Sequence, residues 1–158
     1  MKITHRLQKK AAFAIKTSVV AASVLLASCA GTPSFIGVRD GDLKPCPSSP
    51  NCVSTSEVNS HGVPAFKLVM PPEQAINAIA NELRKQSRVT IAVQEPRYLH
   101  AEYRSAVFRF VDDVEFYAQD DGNLAVRSAS RLGYSDFGVN RSRVEDLREL
   151  FRQKAIIQ

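Results

Sequence analysis

From residue 65 onward the chain switches between two hydrophobic periods. "AFKLVM" (65–70) is a short apolar run of strand type. "PPEQAINAIANELRKQ" (71–86) then places Ala75, Ile76, Ile79 and Leu83 on one helical face, with Pro72 suited to a first turn. "RVTIAVQE" (88–95) is β-branched and ends at Pro96, and "YLHAEYRS" (98–105) alternates strictly. Leu99, Ala101 and Tyr103 share one face, and His100, Glu102 and Arg104 the other. "VFRFVDDVEFYAQ" (107–119) predicts a strand with Phe108, Phe110, Val114 and Phe116 on the apolar side, and Arg109, Asp113, Glu115 and Tyr117 opposite. Asp112 falls on the apolar side of that count, which predicts a bulge near Asp112–Asp113. "DDGN" (120–123) is hairpin-turn chemistry. The strand 123–131 returns with Leu124 and Val126 inward, and Arg127 and Arg131 outward. "SRVEDLRELFRQ" (142–153) closes as a helix striped by Val144, Leu147, Leu150 and Phe151. Asn140 and a Ser142/Glu145 capping box compete to open it.

The order strand, helix, four strands, helix predicts an α+β two-layer sandwich: an antiparallel sheet with two helices on one face. TATA-binding-protein-like and helix-grip folds have the same β-α-β-β-β-β-α order, an analogy of topology that carries no function. The consequence concerns the other face. It is expected to display His100, Glu102, Arg104, Arg109, Asp113, Glu115, Arg127 and Arg131 as a candidate ligand or partner surface.

The first 28 residues read as a signal peptide. A cationic start is followed by "TSVVAASVLLAS", an apolar stretch too short to span a bilayer of about 30 Å. "LASC" (26–29) resembles the bacterial lipobox, which makes Cys29 the expected lipid-bearing N-terminus of the processed chain. Ala30 follows, with no Asp to suggest inner-membrane retention. The expected address is therefore the outer membrane's periplasmic face. Residues 29–44 read as lipidated cysteine plus tether, and 45–158 as one globular domain.

Processing changes the charge picture. Of 21 Lys and Arg, Lys2, Arg6, Lys9, Lys10 and Lys16 precede Cys29, and none of the 16 acids does. The mature chain is formally neutral, so its basicity is no argument for nucleic-acid binding. Cys46 and Cys52, in "KPCPSSPNCVS", are expected to form a disulfide outside the cytoplasm. A zinc reading would recruit His61 but lacks a fourth ligand, and the spacing is too wide for a redox pair.

"RSASRLGYSDFGVNRSR" (127–143) reads as the joint between the last strand and the last helix. Gly133 and Gly138 turn the chain, and Asp136 is expected to pair with Arg131 or Arg141. On the sheet face, Arg104, Arg109 and Arg127 could converge on a phosphate or carboxylate. Near-equal numbers of acids favour cross-strand pairing instead: Arg109 with Glu102, and Arg127 with Asp113 or Glu115. His100 beside Glu102 or Asp113 is the one general-base candidate. No nucleophile elbow, phosphate loop, metal cluster or cofactor motif accompanies it.

"LKPCPSSPNCVS" (43–54), "YLHAEYRSAVFRFVDDVEF" (98–116) and "VRSASRLGYSDFGVNRSRVEDLR" (126–148) resemble, in order, the three signature blocks of the DUF1499 family. The resemblance implies one small domain and no established activity, cofactor or catalytic residue. Three functional expectations stand: a lipid-anchored envelope protein binding a partner or small anionic ligand; an envelope-polymer hydrolase or transferase using His100; or a structural lipoprotein.

Overall fold

The structure is a computed structural model describing residues 35–158. The expected signal peptide and Cys29 lie outside the described residues. Among the described residues, eight strands and two helices are formed: β1 (Val38–Arg39), β2 (Asp42–Leu43), β3 (Cys52–Ser54), β4 (Phe66–Lys67), α1 (Pro72–Leu83), β5 (Val89–Gln94), β6 (Tyr98–Arg104), β7 (Val111–Ala118), β8 (Asn123–Ser130) and α2 (Val139–Gln153). From β4 onward they follow the order read from the hydrophobic pattern. No described helix is long and apolar enough to cross a membrane.

The main sheet is antiparallel, ordered β3-β8-β7-β6-β5, and β4 also pairs with β8. Both helices pack on one face. Leu99 and Ala101 of β6, Val114 and Phe116 of β7, and Leu124 and Val126 of β8 meet Ile76, Ile79 and Leu83 of α1 and Val144, Leu147 and Phe151 of α2. Phe151 lies edge-on to both Phe66 and Phe116, which locks α2 across the sheet. This is the expected α+β two-layer sandwich.

The strand expected over 107–119 begins only at Val111. Phe108 and Phe110 do not join the apolar face. They stack on each other at 5.6 Å, exposed, in the loop between β6 and β7, and Arg109 sits between them at φ 57°. The bulge expected near Asp112–Asp113 is also absent, because β6 and β7 pair without interruption from Tyr98↔Tyr117 to Arg104↔Val111. Asp112 does point to the helix side, where Arg143 of α2 reaches it at 2.6 Å. An ion pair on the rim of the core therefore answers the break in alternation. The register does shift elsewhere, between Ile91 and Val93 of β5.

The tether expected through residue 44 ends earlier. β1 and β2 form a hairpin, Val38↔Leu43, that lies against the second face of the sheet. Leu43 packs with Tyr98 and Ala125, and the Gly37 N–H donates to Glu115 at 2.5 Å. The Cys46–Cys52 disulfide is present, and its second cysteine opens β3, a short edge strand that follows the stapled loop.

Candidate functional site

Strand alternation sends the expected polar residues of β6, β7 and β8 to the same side. That side is closed. His100, Asp113, Glu115 and Arg127 are all buried, the last two with no exposure at all. Register explains how their charges are held. Glu115 is directly opposite Arg127, and Glu102 directly opposite Asp113. Two acids in that position repel unless a cation is shared between them.

Arg131, one residue beyond β8, supplies that cation. It donates to Asp113 at 2.7 and 2.9 Å and to Glu102 at 2.5 Å. The imidazole of His100 closes the other side of Asp113, with Nε2 2.7 Å from its carboxylate. Burial opposes ionisation of Asp113, but the hydrogen bonds from His100 and Arg131, with the charge of Arg131, hold its carboxyl below the ordinary range. Reciprocally, the hydrogen bond to Asp113 raises the pKa of Arg131. Arg104 reaches Glu102 only at 3.6 Å and remains partly exposed.

A second cluster lies further along the strands. Glu115 accepts from Arg127 at 2.9 Å, from the Tyr98 hydroxyl at 2.8 Å and from Gly37 N–H. Burial first, and Glu115 second, push the Tyr98 phenol up. Nε and Nη2 of Arg127 have no hydrogen-bond partner among the described residues. Desolvating them costs free energy that the single bond to Glu115 only partly offsets.

Of the expected pairs, Arg127 with Glu115 forms. Arg109 does not meet Glu102, because the loop carries it off the sheet. Asp136 pairs with neither Arg131 nor Arg141. Its carboxylate, two residues before the N-cap Gly138, accepts the backbone N–H groups of Gly138 and Asn140 and so satisfies the start of α2, which opens at Val139, three residues ahead of Ser142. Arg141 instead donates to the carbonyls of Ser60 and Gly62.

The sequence reading missed Asn140 as anything but a cap. It is buried and joins α2 to β8 and to the segment before β3: its side chain bonds Ser128 at 2.6 Å, Ser130 at 2.9 Å, the Asn51 carbonyl at 3.0 Å and Arg143 at 2.6 Å. Arg148, also missed, is buried over the Phe66 ring at 4.0 Å and donates to the carbonyls of Pro64 and Ala65. An arginine in a polar heptad position carries no mark that distinguishes it from a solvated one.

Several concavities are open to solvent. One of about 370 Å³ lies between α2 and the end of β6, lined by Gln86, Tyr103, Arg143 and Leu150. Another, about 230 Å³, lies where the disulfide loop meets residues 134–141, with His61 held through Nδ1 to the Cys52 carbonyl at 2.9 Å. Gly62 is required beside it, since a Cβ there would lie 2.6 Å from the Glu57 carbonyl oxygen. No cluster of three or more metal-ligating side chains occurs among the described residues.

No curated protein and no solved structure matches the chain. The family model for a protein of unknown function, DUF1499, matches residues 42–151, a span running from β2 to the core residue Phe151 and containing both charge clusters and the disulfide. With most of its length so matched, the chain belongs to the DUF1499 family.

Proposed function

We propose that the protein is a lipid-anchored cell-envelope module, attached through Cys29 to the periplasmic face of the outer membrane, that binds an anionic partner without transforming it. The binding surface in this reading is the end of the sheet, not its polar face. The carrying observation is how the eight candidate side chains divide. The side chains of His100, Asp113, Glu115, Arg127 and Arg131 are buried, and with Glu102 they are tied to one another by ion pairs and hydrogen bonds. Arg104 keeps only a long contact with Glu102, and the exposed Arg109 has no ion-pair partner among the described residues. Arg88 joins them, since its carbonyl accepts the Arg104 N–H at 3.0 Å, and it too has no ion pair there. Three guanidinium groups at one sheet end give the positive surplus that the polar face lacks.

Photo-crosslinking in the native envelope tests the binding surface. Charge reversal at Arg104 and Arg109 should abolish a product that the unchanged chain yields, and equal recovery from both would sink the reading. For the anchor, palmitate should label the chain and not its Cys29→Ser variant.

The 2.7 Å contact between His100 and Asp113 favours a second reading, the hydrolase or transferase. That activity needs substrate to reach an imidazole that is only 2% exposed. His100→Gln separates the two: an enzyme loses nearly all function, whereas a binder keeps its partner.

A further inference from the structure

The loop joining β6 to β7 and the loop joining β8 to α2 leave the sheet at the same end. Arg104 pairs with Val111, and the Arg131 N–H donates to the Val111 carbonyl at 3.1 Å, so Phe110 and Leu132 are the next neighbours beyond the ladder. Twelve large apolar side chains are exposed among the described residues, and six of them lie in these two loops. Val107, Phe108 and Phe110 come from the first; Leu132, Tyr134 and Phe137 lead the second, with Phe137 96% exposed. Together they form an exposed apolar crown, of which Tyr134 also lines the concavity beside the disulfide loop.

The crown is held outward by built structure. Ser105 and Phe110 close the first loop through two hydrogen bonds of 2.9 Å, one backbone and one from the Phe110 N–H to the Ser105 hydroxyl. Asn51 pins the second by donating to the Gly133 carbonyl at 2.7 Å, and Asp136 fixes its end. Phe137 occupies φ 54°, a left-handed conformation that costs a phenylalanine about 1 kcal/mol or more and here points the ring into solvent. Around the crown lie Arg88, Arg104 and Arg109. The loops' one acid, Asp136, is spent on backbone N–H groups.

We propose that this end of the sheet docks on the surface of an anionic phospholipid bilayer, with the aromatic side chains entering the interface and the arginines meeting headgroup phosphates. Protruding Phe and Tyr side chains beside cations suit an interface that is apolar below and anionic above. The inference deepens the binding reading of the preceding subsection, and rests on it for the nearby anchor. Eight residue-to-residue steps separate Cys29 from Gly37, a reach of at most about 28 Å. Gly37 is bonded to Glu115, four positions from Val111 and roughly 13 Å from the crown. An anchor that short holds the domain at the bilayer, where a second, weaker attachment adds strongly to the first.

The chain contains no tryptophan, so a single one is a clean probe. Phe108→Trp places it in the crown. Val69→Trp places it at the opposite end, where Leu68 bonds Gly122 of the β7–β8 turn. The lipid-bearing full chain would be reconstituted in phosphatidylethanolamine–phosphatidylglycerol vesicles with brominated acyl chains. Phe108→Trp should lose about half its emission and Val69→Trp almost none, a contrast that shrinks when Arg88, Arg104 and Arg109 are changed to Gln. Equal, weak quenching at both sites in a chain that sediments with the vesicles overturns docking and leaves the anchor standing. Crown-specific quenching in a chain that washes off the vesicles supports docking and refutes the anchor. Shielding of Phe108→Trp from aqueous iodide without bromolipid quenching assigns the crown to a protein contact and overturns the proposal.

Discussion

Arg127 and Glu115 are directly opposite each other on neighbouring strands, both without solvent exposure, and share one 2.9 Å bond. The face they occupy is a second, polar interior. Its groups are positioned by strand register and closed in part by the β1–β2 hairpin.

Breaking this pair from one side should be severe. Glu115→Ala leaves the Arg127 charge buried and unmatched, and should cost about 3–5 kcal/mol in urea unfolding. Combining Glu115→Gln with Arg127→Met removes both charges and keeps an acceptor for Tyr98 and Gly37. The double variant should recover most of the loss, and additive losses would contradict the account.

Asn140→Ala should destabilise by about 3 kcal/mol, since it leaves the Asn51 carbonyl, Ser128 and Arg143 short of a buried partner. Asp136→Ala should cost only about 1 kcal/mol, the worth of a helix cap. Thermal melts of the two variants test that ranking.

The disulfide closes a small loop, so its loss should lower stability by about 2 kcal/mol. A thiol assay on the denatured, non-reduced chain should find neither Cys46 nor Cys52 free. The Cys46→Ser, Cys52→Ser variant should melt lower and keep the native circular dichroism spectrum.

Stability should fall at both pH extremes, for different reasons. The Asp113 carboxyl is depressed, so its contribution is present above the unfolded value near 3.9 and is lost as pH falls through the lower folded value. The Tyr98 phenol is raised, so its contribution is complete below about pH 10 and is lost above it. Asp113→Asn should flatten the acid limb alone, and Tyr98→Phe the alkaline limb alone, in unfolding free energy measured against pH.

Strand parity was legible in the sequence for β6, β7 and β8, because an alternating run has only two faces and the apolar one must be inside. Where a strand began was less so. "VFRF" continues the alternation into "VDDVEF", yet Phe108 and Phe110 belong to a loop, since periodicity does not register where a hairpin turns. The same ambiguity made Asp112 look like a bulge. Its partner Arg143 lies 31 positions away on a helix, a distance over which no local pattern reaches.

By itself, the sequence determined the α+β class, the helix faces, the disulfide and the side of the sheet on which the charged residues within β6, β7 and β8 stand. All of these follow from local periods or from cysteine chemistry. Tertiary structure alone decided that the charged side is covered, because the covering hairpin looks like linker until Leu43 meets Tyr98 and Gly37 meets Glu115. It also decided that "RSASRLGYSDFGVNRSR" is more than a joint. Arg127 and Arg131 pair with buried acids, Asn140 ties α2 to the sheet, and Tyr134 and Phe137 stand outward. Which charges cancel and which apolar groups remain uncovered depends on residues far apart in the chain, so only the folded arrangement could assign them.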